Sequence, residues 1–186
     1  MDVTGTKDAK QRVMHATVEL LREGGLRAAA PAAIADRAGA GKMSLYRHFG
    51  SKDELIAEAL RDNGERSREW ILGSIDDGDP RERVLAIFDR IAERAERGAL
   101  RPCVYMMTRM EVPDEDHPAV PVTIEYKRHV VATLTAWLRE MHHPEPEMLA
   151  QTISMLVDGC ITRAVMIADA RPVRDARRAV EVLLEM

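Results

Sequence analysis

The stretch from Ile34 to Leu55, IADRAGAGKMSLYRHFGSKDEL, constrains this 186-residue chain more than any other part of it. Ile34, Ala35 and Ala38 fall at helical spacing and form a small apolar face. Gly39 follows, where two short helices joined by a tight turn need a residue free to take positive φ. A second helix is expected from about Gly41 to Arg47. Leu45 and Phe49 stand i,i+4 and point inward. Lys42, Ser44, Tyr46, Arg47 and His48 are left to point outward or to the ends. A helix so short, held on apolar anchors and carrying a basic aromatic face, has a use for that face. In a helix-turn-helix the use is insertion into the DNA major groove.

The stretch resembles the DNA-binding signature of TetR-family transcriptional regulators. That signature is an apolar-Ala pair, Ala-Gly in the turn, a hydrophobe followed by Tyr, then Phe, then Lys. Here these are Ile34-Ala35, Ala38-Gly39, Leu45-Tyr46, Phe49 and Lys52. The resemblance is strongest over about residues 8–56, and the chain length fits it. It implies an all-α fold: a three-helix N-terminal helix-turn-helix head (residues 1–53) and a six-helix body (residues 54–186) for effector binding and dimerisation.

Composition agrees with such a division. The net charge of −4 speaks against a wholly basic nucleic-acid binder. Residues 1–53, however, hold nine Lys and Arg against six Asp and Glu, and the rest eighteen against twenty-five. A basic head on an acidic body suits a DNA reader with a separate sensing domain. Aromatic residues are few and aliphatic content is high, as in helical proteins. Cys103 and Cys160 make neither a disulfide framework nor a metal spacing, so a cytoplasmic protein is expected. No apolar run is long enough to span a membrane, and no signal-peptide pattern opens the chain.

Periodicity gives the elements in order. Residues 1–7 read as a loose arm. The first helix covers about Asp8 to Glu23, with Val13, Ala16, Leu20 and Leu21 on one face and Gly24-Gly25 as its stop. Pro31 opens the second helix. The family usually caps this helix with Thr or Ser. Ala30 stands there instead, at a cost of about 0.5–2 kcal/mol. Ser51 and Glu54 form a capping box at the start of a long fourth helix. Asp76 to Pro80 break it, and Asp79, Pro80 and Glu82 cap the fifth. A short Met-rich sixth helix (102–111) and a loop rich in proline (112–121) follow. Helices over about 122–141, 147–169 and 173–184 complete the chain. Apolar residues on more than one face of the eighth helix require burial on two sides.

Lys42, Met43 and Ser44 are the candidate base readers. Lys can pair with guanine acceptors, Ser with several bases, and Met43 with a thymine methyl. Met43 and Gly41 depart from the commoner family residues. By the resemblance, Tyr46, Lys52 and His48 hold phosphate oxygens; Arg37 and Arg47, as cations of the same region, are candidates for further backbone contacts. Lys42 and Arg47 taken singly are equally compatible with solvated surface charge.

By the same resemblance, helices four to eight enclose an effector cavity. Its candidate lining is Trp70, Phe88, Ile91, Tyr105, Met106, Met110, Tyr126, Trp137 and Met155, with Glu111, Asp158 and Arg163 as polar selectors. Methionine suits varied apolar ligands, although each residue could simply be core. The expected homodimer forms through a four-helix interface of Ile153, Leu156, Val157, Gly159, Cys160, Ala164, Val173, Val180 and Leu183. Double burial of the eighth helix inside one subunit is the alternative. A two-fold dimer would set its recognition helices about one DNA turn apart.

Glu111 with His117 could begin a metal site, though residues 114–117 read more plainly as loop caps. Cys103 could sense an electrophile if exposed. No cofactor and no metal is expected. No phosphate loop, nucleophile elbow or paired-Cys motif supports an enzyme, and a helical adaptor would leave the Lys42-to-Lys52 face unexplained. The expectation is a dimeric repressor of double-stranded DNA, released by a small, mostly apolar ligand. A metal or oxidant effector is the alternative, and a helical enzyme or adaptor the reading from a different class.

Overall fold

The computed structural model describes residues 3–73 and 78–185. Among these residues it contains nine α-helices and no strand. They are α1 (Val3–Ala28), α2 (Pro31–Ala38), α3 (Lys42–Phe49), α4 (Lys52–Leu72), α5 (Pro80–Glu96), α6 (Val104–Glu111), α7 (Ala119–Glu140), α8 (Pro146–Ile167) and α9 (Arg171–Leu183). The chain divides into two compact units. One comprises Met1–Glu65 with Cys103–Tyr126, the other Arg66–Pro102 with Lys127–Met186.

In the first unit, α1 packs against α2 and α6, and α2 against α3. Val13, Ala16, Leu20 and Leu21 of α1 are buried, as their spacing requires. So are Ile34, Ala35 and Ala38 of α2 and Leu45 and Phe49 of α3. Burying the larger of these side chains, the valine, leucines, isoleucine and phenylalanine, contributes roughly 1.5–3 kcal/mol each. The helix starts at Val3, so the loose arm expected over residues 1–7 is mostly helical. Its first two residues lie outside the described range. A single Gly5 costs only about 1 kcal/mol in a helix that already propagates.

Gly24 and Gly25 break α1 as expected, but the chain does not leave it. Gly24 (φ −162°, ψ 27°) and Gly25 (φ 65°, ψ −156°) form a kink, and one further turn follows. That turn closes when the amide of Ala29 donates to the carbonyl of Gly25 at 3.2 Å.

The turn after α2 is a Schellman motif. Gly39 is left-handed (φ 58°, ψ 41°). Its amide donates to Asp36 and that of Ala40 to Ala35, at 3.1 and 2.9 Å. Ala30 supplies no side-chain cap to α2. At α4, the amide of Glu54 donates to Ser51 Oγ at 3.0 Å. The other half of the expected capping box has no donor to use, because the amide of Ser51 is taken by the carbonyl of Phe49 at 2.9 Å. The loop after α6 ends at Pro118, before the expected 121. Pro121 fits inside the first turn of α7, where its missing N–H has no intrahelical partner to lose.

In the second unit, α9 packs on α5 and α8, and α5 on α8. Val84, Leu85, Ile87, Phe88 and Ile91 of α5 are buried. Arginines from α5 tie the unit together. Arg90 donates to the carbonyl of Ile71 at 2.9 Å, and burial holds its guanidinium below the ordinary pKa. Arg94 lies 4.2 Å over the Trp70 ring and Arg83 lies 5.3 Å over Trp137. Asp79 is the N-cap of α5 by position, but its carboxylate makes no capping hydrogen bond. The Asp76-Asp77 part of the expected break lies outside the described residues. No helix among those described is long and apolar enough to cross a membrane.

Candidate nucleic-acid interface

The eight residues of α3 are held by two side chains. Leu45 and Phe49 are buried, and the other face is left to solvent. Met43 is 82% exposed and Tyr46 41% exposed, so both side chains are open to a partner. Lys42 and Arg47 are exposed beside them, while Ser44 and His48 are half-buried. Arg47 reaches Ser44 Oγ at 3.4 Å, a long contact that a base or phosphate can displace. Gly41 precedes α3 in an extended conformation and contributes no capping side chain, while its carbonyl accepts from the amide of Ser44 at 2.8 Å, which leaves the amides of Lys42 and Met43 as the open ones of the first turn. Backbone amides at such an end are ready donors to an anion.

Two expected backbone contacts are already engaged. Arg37 donates to both carboxylate oxygens of Glu23 at 3.0 Å. That hydrogen bonding, and then the charge of Glu23, raises the guanidinium above its ordinary pKa. Lys52 is half-buried and its Nζ donates to the carbonyl of Leu26 at 3.0 Å. An ammonium has three donors, so this bond leaves others for a phosphate. Lys10 pairs with Glu58 and lies 5.4 Å over the Phe49 ring. Arg12 donates to the carbonyl of Ala38, the last residue of α2, at 3.2 Å.

The last residue of α6 and the segment after it contribute contacts that periodicity does not reveal. The amide of Leu26 donates to Glu111 Oε2 at 2.6 Å. His117 Nδ1 accepts from the amide of Ala119 at 3.1 Å, which fixes the proton on Nε2 when the ring is neutral. Nε2 lies 3.3 Å from Asp53 Oδ1. Glu111 and His117 thus have separate partners. Among the described residues no group of three or more His, Cys, Asp or Glu is placed to hold a metal ion.

The expected pocket residues divide between the units. Tyr105, Met106, Met110, Glu111 and Tyr126 belong to the first, and Trp70, Phe88, Ile91, Trp137 and Met155 to the second. Tyr105 and Tyr126 stack at 3.7 Å with ring planes 4° apart. Phe88, Ile91 and Trp137 are core. Met106 is half-buried, whereas Met110 and Met155 stand on open surface. Asp158 pairs with Lys127 rather than with Arg163.

The eighth helix is buried on one face. Ile153, Val157, Cys160 and Ala164, together with Val173 and Val180 of α9, turn into their own unit. These six were expected between two chains, and packing within the chain takes them. Leu156 and Leu183 are half-buried and Gly159 is exposed. The outward stripe of α8 is Met148, Met155 and Met166, with Ile167 beside it. Residue spacing alone does not separate the two stripes, because both are apolar. Cys160 is buried, and that burial pushes its thiol up to about 12. Cys103 is half-buried.

Known proteins bear on this arrangement. The profile of bacterial regulatory proteins of the tetR family matches residues 13–59. The transcriptional repressor KstR2 of Rhodococcus jostii RHA1 is 33% identical over 133 residues, which is 70% of this chain and 56% of KstR2. The repressor KstR of the same organism is 35% identical over 95 residues, 50% of this chain and 44% of KstR. The chain therefore spans about half the length of these curated relatives. Among solved structures, a chain from Streptomyces avermitilis MA-4680 assigned to the TetR transcriptional regulators superposes with TM-score 0.81 and 28% identity, covering 93% of this chain and 98% of the other. A TetR-family regulator of Streptomyces coelicolor reaches TM-score 0.85 at 20% identity, covering 96% and 95%; at that identity the likeness is one of fold.

Proposed function

We propose that this chain, which belongs to the TetR family of bacterial regulatory proteins, is a cytoplasmic transcriptional repressor that binds double-stranded DNA as a homodimer. The observation that carries the reading is α3: eight residues fixed by Leu45 and Phe49, presenting Lys42, Met43, Tyr46 and Arg47 to solvent after a glycine turn. Lys42, Met43 and Ser44 meet base edges. Tyr46, His48 and Lys52 hold the sugar-phosphate backbone. Arg47 joins them, and Arg37 does so only after releasing Glu23.

Residues 1–53 are the part that reads DNA and residues 54–186 the part that senses an effector and dimerises. The effector is a small, mostly apolar molecule. It releases DNA because it binds the DNA-incompetent arrangement more tightly, which is the only way a ligand can shift such an equilibrium. Trp70, Phe88, Ile91 and Trp137, all in the second unit, are its candidate contacts. The dimer face is better drawn through Met155, Gly159, Met166 and Ile167, which are free, than through the neighbouring residues the unit has already buried. A two-fold pair of chains reads a near-palindromic operator.

The test is selection of bound genomic fragments by purified protein at moderate salt, repeated with the Tyr46→Ala/Lys52→Ala double variant. Enrichment of a short near-palindrome, lost in the variant, is the expected result. Absence of enrichment from ligand-free protein, checked by mass spectrometry after denaturation, would overturn the reading.

A further inference from the structure

We infer that Glu111, at the end of α6 and 59 residues beyond Lys52 in sequence, is a positioning residue for the DNA-binding face. The inference rests on the function proposed above. Its basis is a chain of three groups. The Glu111 carboxylate accepts the amide of Leu26 at 2.6 Å, and the carbonyl of the same Leu26 accepts from Lys52 Nζ at 3.0 Å. One peptide residue therefore has an anion bound at its N–H and a cation bound at its C=O. Each interaction polarises the backbone group it meets in the favourable direction, and charge-assisted bonds of this kind are about twice as strong as neutral ones.

Leu26 needs the anion. It opens the single turn that follows the Gly24-Gly25 kink, and the first amide of a turn has no acceptor within it. No side chain of residues 24–26 can act as its cap, since they are Gly, Gly and Leu. Glu111 supplies the cap from a distant part of the sequence. With Leu26 fixed, its carbonyl becomes a fixed point for Lys52. The ammonium is then held at the start of α4, two residues after the end of the α3 turn at Gly50, with donors left over for a phosphate. A second contact braces the same place: His117 Nε2 meets Asp53 Oδ1 at 3.3 Å, next to Lys52. Residues 103–126 thus contact the segments that flank the DNA-reading helices, at Leu26 of α1 and Asp53 of α4, within one compact unit.

The sign of the effect separates positioning from plain charge. Removing a carboxylate near DNA lessens repulsion of phosphates and should tighten binding. A positioning role demands the opposite. The experiment measures the dissociation constant for the selected operator across a salt series. The proteins are the full chain, Glu111→Ala, Glu111→Gln, Lys52→Ala and the two double variants, with the active fraction fixed by stoichiometric titration. Glu111→Ala weakens binding at least tenfold at unchanged active fraction. Glu111→Gln keeps an oxygen for the Leu26 amide and loses less than threefold. Lys52→Ala costs markedly less in the Glu111→Ala background than alone, because the two act as a unit.

Tighter or unchanged binding by Glu111→Ala, or losses that simply add, would overturn the role. If Glu111→Ala does not fold, Glu111→Asp replaces it in the cycle: it keeps the charge, falls one methylene short of the Leu26 amide, and is expected to weaken binding and to couple with Lys52→Ala, a coupling absent if Glu111 merely stabilises the fold. Wild-type protein that binds no DNA overturns the repressor reading and this role with it. Wild-type binding with additive variants overturns the role alone.

Discussion

The carboxylate of Glu111 occupies the space that a β-carbon on Gly25 would take, closer than any real side chain approaches. Gly25 also has φ +65° with ψ −156°, a combination open only to glycine. The two constraints are independent and coincide at one residue. Gly25→Ala should therefore cost about 1–3 kcal/mol from the backbone alone, and displace the Glu111 cap besides. Gly39 is a useful contrast. It is left-handed at φ +58°, but nothing lies within 4 Å of its missing β-carbon. Gly39→Ala should cost only about 1–2 kcal/mol. Urea unfolding of both variants checks the order, with the two losses compared at equal m.

Tyr105 supports a second buried arrangement. Its hydroxyl donates to the carbonyl of Leu60 at 3.0 Å and accepts from Asn63 Nδ2 at 3.1 Å, while its ring stacks on Tyr126. Tyr105→Phe keeps the stack and removes one acceptor from a buried amide. The expected loss is about 1–2 kcal/mol. Thermal unfolding measures it, and Tyr126→Phe serves as the control that leaves the Tyr105 hydroxyl in place.

Much of this was legible in the residues, and the failures have physical causes. Gly39, Leu45 and Phe49 act locally, within a turn or two, so spacing reveals them. The boundaries of α2 follow from Pro31 and Gly39 for the same reason, whereas α3 runs to Phe49, two residues past the expected Arg47, and stops at Gly50. The Glu111–Leu26 bond joins residues 85 apart, and no local pattern encodes such a partner. Arg37 reads as a free cation because its partner Glu23 lies on another helix. On α8, the buried stripe of Ile153, Val157 and Cys160 and the free stripe of Met148, Met155 and Met166 are both apolar. Only packing tells which one the chain keeps for itself.

The Glu23 partner has a consequence for DNA binding. Arg37 must give up two hydrogen bonds before it can reach a phosphate, whereas Lys42 is exposed. Lys42→Ala should reduce operator affinity more than Arg37→Ala does. Glu23→Gln should raise affinity by freeing Arg37 and removing a negative charge. Removing one cation that neutralises a phosphate lowers the slope of log K against log salt by about 0.9. Titrations at several salt concentrations therefore distinguish the side chains that touch phosphate from bystanders.

The two cysteines should differ in reactivity. Thiolate is the nucleophile, and burial pushes the Cys160 thiol up to about 12. At pH 8 its thiolate fraction is lower by roughly a thousandfold than that of an ordinary cysteine three pKa units below it. Native protein should take up one equivalent of iodoacetamide, on Cys103, and a second only after unfolding. The same shift makes the fold less stable as pH rises from about 9 toward 12. Over that range the unfolded thiol ionises and the folded one does not, so the folded state binds more protons. Mass spectrometry of tryptic peptides identifies the labelled site, and early labelling of Cys160 would refute the burial argument.

Gly159 gives the sharpest test of the dimer. It lies on the exposed side of α8, and no atom stands within 4 Å of its missing β-carbon. With Met155, Arg163 and Ile167 it lines an open groove of about 570 Å³ between α8 and α9. Met155 is 64% exposed and Met166 78%, so the open face of α8 presents large apolar side chains on either side of Gly159. Within one chain, replacing Gly159 should therefore do no harm. A larger residue has room, and removing a mid-helix glycine gains up to about 1 kcal/mol of helix propensity. Across a two-fold axis the reverse holds. A glycine allows two helices to approach closely, and a leucine at that point would push them apart. Gly159→Leu should unfold at the same temperature as wild type or higher when both are compared as monomers. It should also sediment as a monomer at micromolar concentration and lose most operator affinity, because one DNA-reading helix then binds alone. A variant that remains dimeric at that concentration would place the interface on another face.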